Sequence, residues 1–294
     1  MKILIAIGSK DFSKPTLNLG MKVAQAFNAK TTIIGVGVKI SEFSSQLVEL
    51  AHDQMESWDF DPPGVDVLEW AFNYLSRNKL IDVTQLETGF PKNRLIEDGE
   101  DRKMVYLSGT VCEDVNLILR NGDIISELRD EVQYGKYDVT ILGKSGKRNM
   151  SHDLLQYINS SVLIVNSYDN QKFDKILLPL NDAEEMMKVA KYAIRVAMAL
   201  NVGIDIFTVL NEKSSNIEKP FNVNRVMKLI RRSGVQFTHE EKKGEIVDQI
   251  IKKADKNKII VMKASSMSPI KRYFKGSIPL SVMKACDVPI LIVK

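Results

Sequence analysis

The chain has 294 residues, of which 44% are hydrophobic and 27% charged, with a formal net charge of +4. This composition is typical of a globular protein, and the length suffices for one large domain or two of ordinary size. The positive charge is spread along the chain without a basic block interleaved with aromatic residues, so we expect no nucleic-acid partner. Because no apolar run approaches the length of a membrane span, we also expect no membrane partner and a cytoplasmic location.

The predicted elements, taken in chain order, occur twice. The repeated pairs are the strands Lys2–Ile7 and Lys175–Leu180, the helices at about Thr16–Phe27 and Glu184–Leu200, the strands Thr31–Val38 and Gly203–Leu210, and the closing strands Val162–Val165 and Ile290–Val293. Strands that alternate with helices and are apolar throughout predict parallel sheets covered on both faces. We therefore predict an α/β fold of two tandem doubly wound, Rossmann-like domains, 1–168 and 172–294, joined by the polar linker Asn166–Phe173.

The first half contains an insert, at about Val83–Gly109, that the second half lacks. Its segment RLIEDGEDRKMVYL predicts a β-hairpin with Asp98-Gly99 in the turn. In the helix that follows, the acidic run ELRDE at Glu127–Glu131 is interpreted as a solvated face.

Two short loops carry the residues that favour anion binding. The first is GKSGK, from Gly143 to Lys147, which follows a predicted strand; the second contains Gly276-Ser277, before the last predicted helix. Glycines let a phosphate approach the backbone, and the free N–H groups at the start of a helix attract anions.

Each half resembles a universal stress protein domain, and the chain resembles a tandem universal stress protein. The resemblance depends on the element order, the turns NGD and KGE before the third helix of each half, KGS before the last helix and the closing DVPILIV. For ATP-binding members it implies a loop with two spaced glycines and a later Gly-Ser or Gly-Thr, and an Asp that closes the first strand.

Neither half contains the whole motif that the resemblance implies. The first half has Gly143 and Gly146 but Gln156 at the later position, and Gly8 replaces the Asp. The second half has Gly276-Ser277, but Lys263 and Ser266 occupy the glycine positions and Asn181 replaces the Asp. The candidate nucleotide- or anion-binding residues are Gly143, Lys144, Ser145, Gly146, Lys147, Asn181, Lys263, Ser266, Gly276 and Ser277.

These fragments favour a non-catalytic stress-response protein with degenerate nucleotide sites and a regulatory or protective role. No catalytic residue and no metal ligand is expected: the histidines form no triad, and Cys112 and Cys286 match no metal-ligand spacing. One alternative is a genuine ATP or AMP binder that uses the remaining glycines, so these nucleotides are the candidate cofactors. Another is a scaffold that binds a protein partner through the insert. The resemblance also implies that the last strand of such a domain pairs with its counterpart in a dimer, so the two closing strands are expected to pair with each other within the chain, which would cover two exposed sheet edges. The expected assembly is an intramolecular pseudo-dimer of the two domains, with a homodimer of chains as a further alternative.

Overall fold

A computed structural model describes residues 1–37, 64–83, 90, 95–98, 102–144, 155, 157–166, 172–180, 185–210, 221–255, 257–265 and 277–294. The strands are β1 (Lys2–Ile7), β2 (Lys30–Gly37), β3 (Ile81–Asp82), β4 (Ile96–Glu97), β5 (Arg102–Gly109), β6 (Asp114–Asn121), β7 (Val139–Gly143), β8 (Ser161–Val165), β9 (Lys175–Leu180), β10 (Gly203–Leu210), β11 (Phe237–Lys243), β12 (Lys258–Lys263) and β13 (Ile290–Val293). The helices are α1 (Lys10–Phe27), α2 (Val65–Arg77), α3 (Ile124–Gly135), α4 (Met186–Leu200), α5 (Phe221–Ser233), α6 (Ile246–Lys253) and α7 (Ile278–Ala285). None of the helices in these ranges has the length and apolarity that a membrane span requires.

All of these strands belong to one continuous sheet. Its order is β11-β10-β9-β12-β13-β8-β7-β1-β2-β6-β5-β3, with β4 also paired to β5. The strands on each side of the β13–β8 join run parallel, apart from β3, which directly precedes the insert, and β4 and β5, which belong to it. The predicted doubly wound α/β fold is therefore confirmed, whereas the domain boundaries at 168 and 172 stay a prediction.

The two halves meet where β8 and β13 pair antiparallel. Leu163 lies opposite Leu291, and Ile164 lies opposite Ile290. Both strands are buried along their whole length, as expected for strands covered by helices on both faces. Leu163 and Leu291 belong to the apolar cluster on one face of the sheet, and Ile164 and Ile290 to the cluster on the other. The expected pairing of the closing strands is thus confirmed, and each apolar cluster continues across the join.

Helices also connect the two halves. The first cluster lies under α1, α2, α4 and α5, and the second under α3, α6 and α7. Where α1 packs against α4, the rings of Phe27 and Tyr192 are 5.2 Å apart between centroids. The guanidinium of Arg195 lies 5.4 Å from the centre of the Phe27 ring, a distance at which a cation is attracted to an aromatic face.

The insert forms part of the sheet. Its predicted hairpin is confirmed, because Ile96 in β4 pairs antiparallel with Met104 in β5; Gly99 of the turn lies outside the described residues. β5 also pairs with β6 along its length, and Met104, Val105 and Leu107 are buried. Removing the insert would therefore uncover β6 and delete core side chains.

A buried charge cluster joins the insert to α3. Glu131 is 0% exposed, so the interpretation of Glu127–Glu131 as a solvated face is wrong at this residue. Its carboxylate accepts hydrogen bonds from Nε and Nη2 of Arg102, at 3.0 and 3.2 Å, and from Nε of Arg120, at 2.9 Å. The hydroxyl of Tyr137 also donates to it, at 2.9 Å.

The position of the two arginines explains why this carboxylate is buried. Arg102 and Arg120 lie directly opposite each other on β5 and β6, where two like charges repel unless an anion lies between them. Burial opposes the charge on Arg102, but its hydrogen bond with Glu131 and the charges of Glu131 and Asp98 raise its pKa. Burial and the charge of Glu131 also raise the pKa of Tyr137.

A second buried carboxylate, Asp205 in β10, connects three elements of the second half. It accepts hydrogen bonds from Nζ of Lys175 and Oγ1 of Thr238, both at 2.7 Å, and Nζ of Lys258 lies 3.4 Å away. Burial alone would raise the pKa of Asp205, but the hydrogen bonds from Lys175 and Thr238 and the charges of both lysines hold it below its ordinary value.

The lowered pKa of Asp205 predicts a pH-dependent contribution to stability. A carboxyl whose pKa is lower in the folded state stabilises the fold above its unfolded pKa, and this contribution is lost as the pH falls through the folded value. Asp205→Asn should therefore cost about 1.5–3 kcal/mol at neutral pH. The difference in the free energy of unfolding between the variant and wild type should become smaller below about pH 4, where the aspartate of the unfolded chain becomes protonated. Urea unfolding across this pH range measures it, with Asp130→Asn as control, because the Asp130 side chain is 49% exposed and pairs with the adjacent Arg129, outside this cluster. A difference that does not change with pH would contradict the prediction.

Candidate functional site

A cavity of about 260 Å³ lies at the carboxyl ends of β9, β10 and β12, where open parallel sheets bind ligands. Helices α4, α6 and α7 contribute its other walls. Its walls are mostly apolar, and they include Leu180, Met186, Phe207, Ile250, Met262 and Ile278. The cavity therefore offers a ligand a large apolar contact surface and few polar partners.

Lys263 supplies the cationic side chain among the described residues that line the cavity. It is the last residue of β12, and its side chain is 22% exposed. Nζ of Lys263 lies 3.1 Å from Oε2 of Glu185, whose side chain is 61% exposed. A hydrogen bond from its own backbone N–H and the hydrogen bond and charge of Lys263 lower the pKa of Glu185. A half-buried cation is thus neutralised by a carboxylate that is mostly in solvent.

Ser277 caps helix α7 at the edge of the cavity. Its Oγ accepts a hydrogen bond from the backbone N–H of Leu280 at 3.4 Å, which is the usual geometry of a serine N-cap. Ile278 and Pro279, which follow it, line the cavity. Because the hydroxyl is 6% exposed and already satisfies an N–H of the first helical turn, its described role is structural. Asn181, Ser266 and Gly276, the other candidates of this half, lie outside the described residues.

In the first half, the candidate Lys144 lies at the boundary between the halves. It follows Gly143, the last residue of β7, and its backbone N–H donates to the carbonyl of Val165 at 2.7 Å. Its Nζ donates to Oδ1 of Asp287 at 3.0 Å and to the carbonyl of Cys286 at 3.3 Å. The ammonium group of Lys144 is therefore paired with the turn before β13. The other first-half candidates, Ser145, Gly146 and Lys147, lie outside the described residues.

The two fragments of the motif lie at opposite edges of the sheet. β7 runs parallel to β8, and β12 runs parallel to β13, but β8 and β13 are antiparallel. The carboxyl end of β7, with Gly143, therefore points away from the carboxyl end of β12, with Lys263. The structure does not bring these two candidates together into one site.

In the parts of the chain that the structure describes, there is neither a reactive cysteine nor a cluster of metal-binding side chains. Cys112 and Cys286 are buried and unpaired with each other, and burial raises the pKa of both thiols. A raised pKa keeps a thiol protonated and inert at neutral pH. Within the described ranges, no three His, Cys, Asp or Glu side chains are grouped as a metal site requires.

Sequence reasoning missed Glu185 and the apolar walls of the cavity. Glu185 stands in the run NDAEE, which has no pattern that points to Lys263, 78 positions further along the chain. The walls come from strands and helices spread between residues 179 and 279. Only the predicted parallel sheet could have indicated that the ends of β9, β10 and β12 meet at one edge.

These features define a doubly wound α/β protein with a cavity at the carboxyl edge of its second half. Residues 172–294 match the family model described as the Universal stress protein family, so this segment is similar in sequence to a universal stress protein domain. No curated protein matches the chain.

Solved structures extend the fold comparison to the whole chain. A universal stress protein from Archaeoglobus fulgidus DSM 4304 is 14% identical with a TM-score of 0.58, and the match covers 100% of this chain and 96% of that one. A protein assigned as a universal stress protein, from Pseudomonas aeruginosa UCBPP-PA14, is 12% identical with a TM-score of 0.60, and the match covers 100% of this chain and 92% of that one. At these identities the similarity shows a shared fold.

A shorter structure in the comparison contains a nucleotide. It is a universal stress protein in complex with cAMP, 17% identical, and the match covers 42% of this chain and 99% of that one with a TM-score of 0.37. This similarity does not indicate what the present chain binds.

Proposed function

We propose that this chain is a non-catalytic stress-response protein of the universal stress protein family, with two domains at 1–168 and 172–294 and degenerate nucleotide sites. In this proposal it acts by binding, in a regulatory or protective role, without chemical turnover. The observation that carries the proposal is the ion pair of Lys263 and Glu185 at the cavity of the second half.

Lys263 occupies the position that is the first glycine of the motif in ATP-binding relatives. A glycine there leaves room for a phosphate against the backbone, whereas Lys263 places a long side chain beside the cavity. Its partner Glu185 adds a negative charge at the same place, and like charges near a polyphosphate oppose its binding. A single ammonium also cannot balance the several charges of a triphosphate. These points support a site that has lost the standard nucleotide mode.

We further propose that the two domains act as one built-in dimer. The antiparallel β8–β13 join supports this, and side chains at both ends of the join add to it. At one end, Nδ2 of Asn166 donates to the carbonyl of Val288 at 2.8 Å. At the other, the backbone N–H of Lys294 donates to Oγ of Ser161 at 3.2 Å. Pairing removes two sheet edges that would otherwise favour aggregation.

Nucleotide binding is tested by thermal shift. A ligand that binds only the folded state raises the melting temperature by mass action, so we expect no saturable rise with ATP, ADP or AMP, with or without magnesium. Inorganic phosphate at equal ionic strength is the control for salt. A rise of several degrees that saturates with ATP would contradict the proposal, as would phosphate release from ATP above the blank. If Lys263→Gly gains a rise that wild type lacks, the lysine is what blocks the nucleotide.

The insert as a docking element for a protein partner stays a prediction. Ile96 and Tyr106 on its strands are 58% and 63% exposed, and large apolar side chains in solvent favour an interaction surface. Since β5 is part of the core, point variants at these two residues are the suitable test, rather than deletion of the insert.

A further inference from the structure

The second-half cavity is more apolar than nucleotide binding requires. Phe207 and Val209 come from β10, Ile250 comes from α6, and Met262 comes from β12, next to Lys263. Phe207 and Ile250 are 2% and 1% exposed, so these parts of the wall are already excluded from water. Methionine is flexible and adapts to irregular apolar shapes. Because these walls are already dry, an apolar molecule in the cavity would gain affinity from van der Waals contact with them and from burying its own apolar surface.

The one cation that the described walls contain lies at the end of β12, beside this apolar surface. Lys263 has a side chain only 22% exposed, while Glu185, its partner, is 61% exposed. An ion pair with so exposed a carboxylate is weak, because water screens the attraction between the two charges. An incoming carboxylate that is shielded from water by the cavity would pair with Lys263 more strongly than Glu185 does. Glu185 therefore balances the charge of Lys263 from the solvent side of the cavity.

We propose that this cavity binds an amphipathic monocarboxylate, with the apolar body against Phe207, Ile250 and Met262 and the carboxylate on Lys263 in place of Glu185. This inference rests on the proposed function, since it assigns a ligand class to the site that we propose has lost its nucleotide. The binding is non-covalent and reversible.

Charge and size narrow the ligand class. A cation would be repelled by Lys263, and an uncharged molecule would leave the Lys263–Glu185 pair as it is and gain only apolar contact. A polyphosphate would bring charges that the described walls do not balance. The volume of about 260 Å³ lies just below the range of about 300–1,000 Å³ typical of ligand pockets, which favours a small body such as a medium-chain fatty acid.

The test compares decanoate with decanol by isothermal titration calorimetry on the full chain. Decanoate should bind wild type more tightly than decanol. Lys263→Met should weaken decanoate about tenfold or more, the usual effect of a lost charged hydrogen bond, and leave decanol nearly unchanged. Glu185→Gln should strengthen decanoate up to about fivefold, because it removes the competing carboxylate. Ala264→Leu, which enlarges a wall residue, should weaken both ligands. Lys284→Met, an exposed lysine in the last turn of α7, is the matched control and should change neither.

Each outcome decides the inference. Opposite effects of Lys263→Met and Glu185→Gln on decanoate support it, and melting temperatures check that both variants are folded. Equal decanoate affinity in wild type and Lys263→Met, no effect of Ala264→Leu, or no binding of decanoate overturns it. If decanoate and ATP both fail to bind, the inference alone is wrong and the proposed function stands. If ATP binds saturably and decanoate does not, both are overturned.

Discussion

Glu131→Ala should lower the free energy of unfolding by about 3–5 kcal/mol, the cost of breaking a buried ion pair by removing one partner. The carboxylate is 0% exposed and accepts hydrogen bonds from Arg102, Arg120 and Tyr137. Without it, two guanidinium groups that lie opposite each other on β5 and β6 have lost the anion between them. Since β5 is held to α3 through this carboxylate, the insert should loosen before the rest of the sheet. Urea unfolding gives the total loss, and hydrogen exchange of the β5 amides locates it.

One further variant separates charge from shape in this cluster, and a second, outside the cluster, is the control. Glu131→Gln retains the size of the side chain and removes its charge, so it should cost nearly as much as the alanine. Glu113→Ala removes a half-exposed glutamate that faces Lys30 and should cost less than about 1 kcal/mol. A loss below about 1 kcal/mol for both Glu131 variants would mean that the arginines relax into solvent and that the cluster contributes little to stability.

Leu291→Ala should cost about 2–5 kcal/mol and should destabilise both halves together. Leu291 is 1% exposed in β13 and lies opposite Leu163 of β8, in an apolar cluster that continues across the join. The two tryptophans of the chain, Trp58 and Trp70, both precede residue 168, so their fluorescence reports the first half although the substitution is in the second. Fluorescence and far-UV circular dichroism should therefore shift to the same lower denaturant midpoint.

The control for this experiment is Met198→Ala, in α4 of the second half. Its side chain is 59% exposed, so its removal should leave the midpoint within about 0.5 kcal/mol of wild type. If Leu291→Ala shifts the circular dichroism transition and leaves the fluorescence transition in place, the halves unfold independently and the join is not a cooperative unit.

Local patterns predicted the repeated elements well. Strands β10 and β13 have the predicted bounds, Gly203–Leu210 and Ile290–Val293, because a buried parallel strand is a continuous apolar run between turn residues. Helix α1 begins at Lys10, earlier than predicted, with Pro15 inside it. The pairing of the two closing strands was also predicted, because each would otherwise leave an exposed sheet edge; their antiparallel orientation is known from the structure alone.

Contacts between distant residues were not predictable in the same way. Glu131 stands in an acidic run and has a helical spacing that suits a solvated face, but Arg102 lies 29 residues earlier in sequence and only the fold of the insert brings it near. Lys144 looks like an anion ligand in its loop, and its partner Asp287 is 143 residues away. Among the candidate site residues, Ser277 was predictable as a cap because capping is local. The pairing of Lys263 with Glu185 was not, because it depends on the end of β12 meeting the start of α4.

The covalent link between the halves removes a constraint that identical subunits have. In a homodimer with two-fold symmetry, every substitution at the interface occurs twice, and any contact at one end is repeated at the other. Here the β8–β13 join has different ends: Lys144 contacts Asp287 at one, and Lys294 contacts the carbonyl oxygens of Leu155 and Ile158 at the other. The loops of each half can therefore change in sequence while the shared sheet stays intact. The two opposite edges of the sheet, one at the carboxyl ends of the strands of each half, are thus not bound to have the same residues.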